Sequence, residues 1–200
     1  MHISEGVLAP SVLISGAAIC IVGTAIGLKN INQDDIPKVG VLTAVFFVAS
    51  LVHVPLGPSS VHLILNGLIG LVLGWAAFPG LLVALFFQSI FFQFGGLTVL
   101  GVNTVNMALP GVIAYYLCSG MVHSDNRILN IAGGFIAGAG AVAGAGILVA
   151  VSLYMSGQAF LGAAKTILLA HIPVMIIEGL VTVFVISFVK KVRPEILGPG

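Results

Sequence analysis

Apolar runs close to the ~20 residues that cross a bilayer follow one another along the chain, separated by short polar or turn-rich breaks. The first covers about 7–28 and ends in a polar loop, 29–38. The second, about 39–54, stops at Pro55, and a short loop, 56–60, leads into the third, about 61–78. Pro79 and Gly80 break that run from the fourth, about 81–94. A stretch bearing Gly and Asn, 95–106, precedes the fifth, about 107–121. The loop from His123 to Arg127 precedes the sixth, about 128–155. Ser156, Gly157 and Gln158 lead into the seventh, about 162–189, which ends in Lys190-Lys191-Val192-Arg193. The pattern predicts an all-α, polytopic membrane protein of about seven transmembrane helices, forming one domain over 1–200. No long polar linker divides it.

Charge then gives an orientation. With the N-terminus outside, Lys29, Lys38, Arg127, Lys190, Lys191 and Arg193 fall inside, and only Lys165 falls outside. This bias predicts an outer N-terminus and an inner C-terminus, the basic C-terminal cluster anchoring the inner membrane surface. Composition agrees: 59% of residues are apolar and 6% charged, whereas a soluble domain is about a quarter charged. A net charge of +1, without basic clusters interleaved with aromatics, excludes a nucleic-acid partner. Cys20 and Cys118 sit within apolar runs and read as small buried hydrophobes. The sixth run carries small residues at four-residue spacing, Gly134/Gly138 and Gly140/Gly144, which suit close helix packing within this chain or against a second membrane subunit.

The chemistry-bearing residues gather at the predicted outer face. The tip, 1–8, reads Met-His-Ile-Ser-Glu-Gly-Val-Leu. No Lys or Arg precedes Lys29, so it lacks the basic start of a secretory signal and is expected to remain in the mature protein. The Met1 amine, the His2 amide nitrogen and the His2 imidazole make a compact nitrogen donor set. A histidine at position two lets only one amide join the chelate, so a further ligand must complete a square, and four coplanar nitrogens suit Ni(II) or Cu(II). His62, in a loop at the same face, is the candidate fourth ligand. His53 is its partner or a rival ligand. A histidine just inside a membrane helix also fits a purely hydrogen-bonded structural role. Gln93, Asn103 and Asn106 fall at the same face. The two asparagines either bond between helices, hold the tip, or orient a ligand histidine. Glu5 reads as an anchor of the tip or, less directly, as a ligand, and Gly6 as the turn that lets the tip point inward.

Farther along, His171 and Glu178 lie seven apart and share a helical face. Ionisable groups in lipid are costly, so the pair is a structural polar network, part of the metal site, or a coupling element. Pro173 between them predicts a kink. Neither a His-Glu-x-x-His pair nor a Gly-x-Ser-x-Gly elbow is present. The stretch 157–166 departs from a phosphate-binding loop by carrying Ala where Lys is required. No catalytic residue is assigned, and any ATP hydrolysis must come from another chain.

Met1-His2-Ile3 at the start, Ser60-Val61-His62 after the second run, and His171-Ile172-Pro173 with Glu178-Gly179 in the last resemble the CbiM/NikM family. These are the nickel/cobalt-binding membrane (S) components of energy-coupling-factor (ECF) ABC-type transporters. The resemblance covers essentially the whole chain, and the opening tripeptide is its most specific mark. It implies a seven-helix fold with the tip inserted from outside. It implies Ni(II) or Co(II) as transported substrate, with no prosthetic group, bound through Met1, His2 and His62. It further implies a transmembrane coupling (T) subunit, cytoplasmic ATPase subunits and a small accessory membrane protein, all in a prokaryotic cytoplasmic membrane. A secondary permease that uses His171 and Glu178 as a proton-coupled pathway is the rival reading. An accessory assembly subunit is a second rival.

Overall fold

The computed structural model describes residues 2–51, 53–56 and 59–197. Within them run eight α-helices: α1 Pro10–Lys29, α2 Ile36–Ala49, α3 Asn66–Leu73, α4 Ala77–Phe92, α5 Leu100–His123, α6 Arg127–Ser156, α7 Leu161–Ala170 and α8 Ile172–Val192. By length and composition five helical stretches, two of them made of consecutive helices, are long and apolar enough to cross a membrane: Pro10–Lys29, Asn66–Phe92, Leu100–His123, Arg127–Ser156 and Leu161–Val192. The architecture is that of a polytopic helical membrane protein. The α2 helix, at 14 residues, is shorter than those five.

Three boundaries differ from those expected of the sequence, each for a physical reason. Pro79 does not break a helix. It sits in the first turn of α4, where a missing N–H costs nothing. The interruption falls earlier, at the 3-10 turn Gly74–Ala76, where Gly74 takes φ +52°. The α5 helix begins at Leu100 rather than near Met107, because Asn103, Thr104 and Asn106 are buried inside the bundle instead of lying in a loop. The last run is divided at His171, and Pro173 lies in the first turn of α8 instead of kinking a longer helix.

The fold departs from all-α in one hairpin. Strand β1, His53–Leu56, pairs antiparallel with β2, Ser59–His62, in the register His53↔His62 and Leu56↔Ser59. Pro55 cannot continue α2, and β-branched Val54 and Val61 suit strand pairing. The hairpin carries His62 to the edge of the bundle interior.

Helix α3 lies alongside α5 in the same sense. Asn66 Nδ2 donates to the Met107 carbonyl at 3.0 Å, and Trp75 Nε1 donates to the Tyr116 hydroxyl at 3.0 Å. Between these bonds Gly70 lies against Gly111: a Cβ on Gly70 would meet the Gly111 carbonyl oxygen at 2.1 Å. The chain then reverses at Gly74, and α4 runs beside α2, with Gly80 against Thr43 and Gln88 donating to the Phe47 carbonyl at 3.1 Å. The end of α4 therefore meets the start of α5, where the tip enters.

Lipid gives helices no hydrophobic incentive to associate, so close backbone approach and dispersion hold them. In α6, Gly134 and Gly138 lie against α8, and Gly144 lies against Pro110 of α5, while Gly140 faces open space. The small-residue spacing thus serves packing within the chain on one face of α6. Cys20 and Cys118 are buried free thiols. Replacing Gly70 by Ala forces backbone apart, so thermal unfolding in detergent is expected to show a loss of about 1–3 kcal/mol. Gly140→Ala, with no atom within 4 Å of its Cβ, is expected to leave the midpoint unchanged.

Candidate metal centre

The tip folds inward and is held by five hydrogen bonds to three residues, Asn103, Gly95 and Thr98. The Ile3 N–H donates to Asn103 Oδ1 at 2.9 Å, and Asn103 Nδ2 donates back to the Ile3 carbonyl at 3.1 Å. The side-chain amide thus satisfies a peptide unit as a paired strand would. The Glu5 N–H donates to the Gly95 carbonyl at 3.1 Å. Glu5 Oε1 accepts from the Thr98 N–H at 2.9 Å and from its hydroxyl at 3.1 Å. The Thr98 bonds hold the Glu5 carboxyl below its ordinary pKa of 4.5, so the clamp is charged at neutral pH and loosens only in acid. Gly96, at φ +125°, leaves room for this carboxylate: a Cβ there would meet Glu5 Cγ at 2.1 Å. Beyond the polar contacts, Ile3 is fully buried, a burial worth about 2 kcal/mol.

These contacts deliver His2 to His62. The two imidazoles are buried and their ring centroids lie 4.7 Å apart, tilted by 33°. Phe94 packs on His2 at 5.7 Å. Hydrogen bonds define how each ring presents its nitrogens. Gln88 Nε2 donates to the Phe47 carbonyl and to Ser50 Oγ, and Ser50 Oγ donates in turn to the Phe46 carbonyl at 2.7 Å. A carbonyl only accepts, so the Gln88 amide nitrogen must face it, and the amide oxygen faces His2. His2 Nε2 therefore donates to Gln88 Oε1 at 2.8 Å, which puts its lone pair on Nδ1. With a metal ion bound, that nitrogen and the residue's own backbone nitrogen would close a six-membered chelate ring. In His62, Nδ1 donates to the Leu63 carbonyl at 2.7 Å, which puts the lone pair on Nε2.

Two imidazoles bound to one ion at right angles would have centroids about 4.5 Å apart, given metal–nitrogen bonds near 2.0 Å. The observed separation fits that arrangement. Among the described residues no group of three or more His, Cys, Asp or Glu side chains gathers to hold a metal ion.

The other residues singled out in the sequence divide clearly. Met1 lies outside the described residues. His53 stands opposite His62 in the hairpin register. Glu5 and Asn103 anchor the tip rather than face the paired rings. Gln93 is exposed at the end of α4. Asn106 is buried, and its Nδ2 has no hydrogen-bond partner among the described residues. Glu178 secures the segment that follows His62. Its Oε1 accepts from the Ile64 N–H at 2.5 Å and the Leu65 N–H at 2.9 Å, and its Oε2 accepts from Leu65 at 3.0 Å. A carboxylate there meets the positive end of α3. His171 is fully buried at the α7–α8 junction, its Nδ1 donating to the Ile167 carbonyl at 2.6 Å while Nε2 has no hydrogen-bond partner among the described residues. Ser50, Phe94 and Thr98 were not legible as site residues. Gln88, an amide inside an apolar run, carries no sequence signal of this role.

The sequence profile of the cobalt uptake substrate-specific transmembrane region matches residues 2–196. The chain is 43% identical, over 98% of its length and 97% of the relative's, to a Haemophilus influenzae protein assigned provisionally to metal transport. It is 29% identical to the cobalt transport protein CbiM of Sorangium cellulosum, covering 98% of this chain and 94% of that one. The same identity, over all of this chain and 64% of the relative, links it to the fused nickel transport protein NikMN of Rhodobacter capsulatus. A crystal structure of a transition metal transporter superposes with a TM-score of 0.75 at 26% identity, covering 98% of this chain and 95% of that one. A truncated form superposes with the same score at 25% identity, covering 96% and 99%.

The amide that orients His2 gives the site its own test. Gln88→Leu is expected to lower nickel or cobalt affinity by about 10- to 100-fold while the protein stays folded. Nitrogen NMR of histidine-labelled protein is expected to show His2 protonated at Nε2, and to show a mixed tautomer population in the variant.

Proposed function

Since the chain belongs to the CbiM family of cobalt uptake transmembrane regions, whose members are membrane transport components, we propose that it is the ion-capturing membrane subunit of a nickel or cobalt importer. The observation that carries the proposal is the buried His2–His62 pair, brought together from a tip and a hairpin by contacts to α4 and α5. The ion is transported substrate, not a resident cofactor.

The ligands proposed are the Met1 amine, the His2 amide nitrogen, His2 Nδ1 and His62 Nε2. Their connectivity constrains the square. The Met1 amine and His2 Nδ1 each close a chelate ring with the His2 amide nitrogen, so those two lie trans to each other. His62 then takes the position trans to the amide nitrogen, which is cis to the His2 imidazole. A cis pair of imidazoles is what the 4.7 Å centroid separation supports. A planar four-nitrogen set favours a d⁸ ion such as Ni(II) over tetrahedral Zn(II).

The proposal keeps the seven crossings and the outer N-terminus read from charge, with α2 and the shorter α3 counted among the crossings. Energy comes from elsewhere, because the chain has no phosphate-binding loop. The partners proposed are a transmembrane coupling subunit, cytoplasmic ATPases and a small accessory membrane protein, together forming an ECF-type complex that moves the ion inward. Glu178 joins α8 to the His62 segment, and a shift of α8 against α3 would open the ligand set.

Metal analysis of purified protein separates the elements of this reading. The form with its native start is expected to retain about one nickel or cobalt ion per chain, and His2→Ala to retain none. One residue added before Met1 is expected to weaken binding by removing the amine chelate. Equal metal content in all three forms would remove the tip from the site. Uptake of the ion into liposomes by this chain alone would replace the importer subunit with a permease.

A further inference from the structure

Away from the metal centre, α6 and α8 pack tightly in their middle and separate toward one end. A Cβ on Gly138 would meet the Glu178 carbonyl oxygen at 2.5 Å, whereas the closest approach to a Cβ on Gly134, one turn nearer the separated end, is 3.3 Å to Val183. Beyond Gly134 the helices leave a groove of about 520 Å³ whose mouth carries Arg127, Lys190 and Lys191. A second hollow of about 450 Å³ continues from it along the same pair of helices and is walled almost wholly by apolar side chains. Ile131, Leu180 and Val183 line both, so the two form one trough, cationic at one end and apolar along its length.

The charges at the mouth are not spent on acids. Among the described residues no acidic side chain lines the trough, and the ion pairs join Lys38 to Asp35 and Arg193 to Glu195. Lys190 turns inward, donating to the Val122 and Ser124 carbonyls at 3.1 and 2.6 Å and so capping the end of α5. Arg127 and Lys191 remain exposed. The apolar wall opens sideways, with Leu180 59% and Ile131 41% exposed.

We propose that this trough is a binding site for an anionic phospholipid. The phosphate sits among Arg127, Lys190 and Lys191, and an acyl chain lies along Ile131, Leu180 and Val183. Charge complementarity selects the headgroup. Arg presents a planar fork that matches phosphate oxygens, and Lys adds a mobile point charge. Basic pockets between helices at a membrane surface attract anionic headgroups by about 1 kcal/mol per cation, or several-fold in affinity each. Continuity of the charged mouth with the apolar wall selects a lipid over a free anion, because a soluble phosphate would leave the trough unused. The bound lipid would brace α6 against α8 at the end where their own packing is loosest.

Native mass spectrometry of the purified chain in mild detergent tests this, using phosphatidylglycerol, phosphatidylcholine and inorganic phosphate as probes. Phosphatidylglycerol is expected to be retained in preference to phosphatidylcholine. The double substitution Arg127→Gln/Lys191→Gln is expected to lower its affinity by about tenfold or more, with unchanged metal binding and an unchanged unfolding midpoint in detergent alone. Lys165→Gln, distant from the trough in sequence and exposed, is expected to change nothing. Equal retention of the two lipids overturns the proposal, as does phosphatidylglycerol binding that ignores the double substitution. Inorganic phosphate competing as strongly as the lipid would reduce the site to an adventitious ion only, and the lipid site would fall. Loss of a protein partner from the double variant in native membranes, with both lipids binding equally, would make the trough a protein interface instead.

Discussion

His2 Nε2 donates to Gln88 Oε1 across 2.8 Å at the end of α4, and that bond ties together three parts of the chain. The tip brings the histidine, α4 brings the amide, and the end of α2 orients the amide through Phe47 and Ser50. Each link is directional, because a carbonyl can only accept and a neutral imidazole has one donor. In a water-poor interior a reversed amide would leave a donor facing a donor, at a cost of about 1–3 kcal/mol. The Phe46 and Phe47 carbonyls thus fix, through a hydroxyl and an amide, which nitrogen of His2 is presented beside His62.

His62 is held by other contacts. The hairpin sets its height, and Glu178 binds the two peptide N–H groups that follow Leu63. The two imidazoles therefore answer to different helices: His2 to α2, α4 and α5, and His62 to α8 through the start of α3. Under the proposed ligand set, two imidazoles held by different helices could be brought together to bind an ion and moved apart to release it. The close Gly138–Glu178 approach keeps α8 near enough to α6 for its carboxylate to reach across. At the other end of the same helices the packing opens into the cationic trough.

Much of the architecture was legible because lipid imposes length and apolarity on a spanning segment. The runs that became α1, α5 and α6 were visible, and so was the use of Gly134 and Gly138 for packing. Punctuation was less readable. Pro79 and Gly80 look like a break, yet a proline is neutral in a first turn, and the reversal belongs to Gly74. The stretch 95–106, bearing Gly and Asn, looks like a loop, yet Asn103 is buried to bind the Ile3 peptide. The hairpin was hidden because strands of four residues are too short to show an alternation and Pro55 argues against a strand.

The site divides in the same way. His2 and His62 could be paired from sequence, since a short chelating tip requires an outside ligand and both fall at one face. The duties of Gln88, Ser50 and Thr98 could not, because each depends on a partner more than thirty residues away whose position only the packed helices define. Glu178 was recognisable as an ion in lipid that needs a partner, but its partner proved to be main chain at the start of α3 rather than another side chain. The central claim, that His2 and His62 hold one ion between them, is tested most directly by X-ray absorption at the nickel edge of the loaded protein. The account predicts an all-nitrogen shell with outer scattering from two imidazole rings, falling to one ring in His62→Ala. A shell dominated by water oxygens, or ring scattering that is the same in the His62→Ala variant, would contradict it.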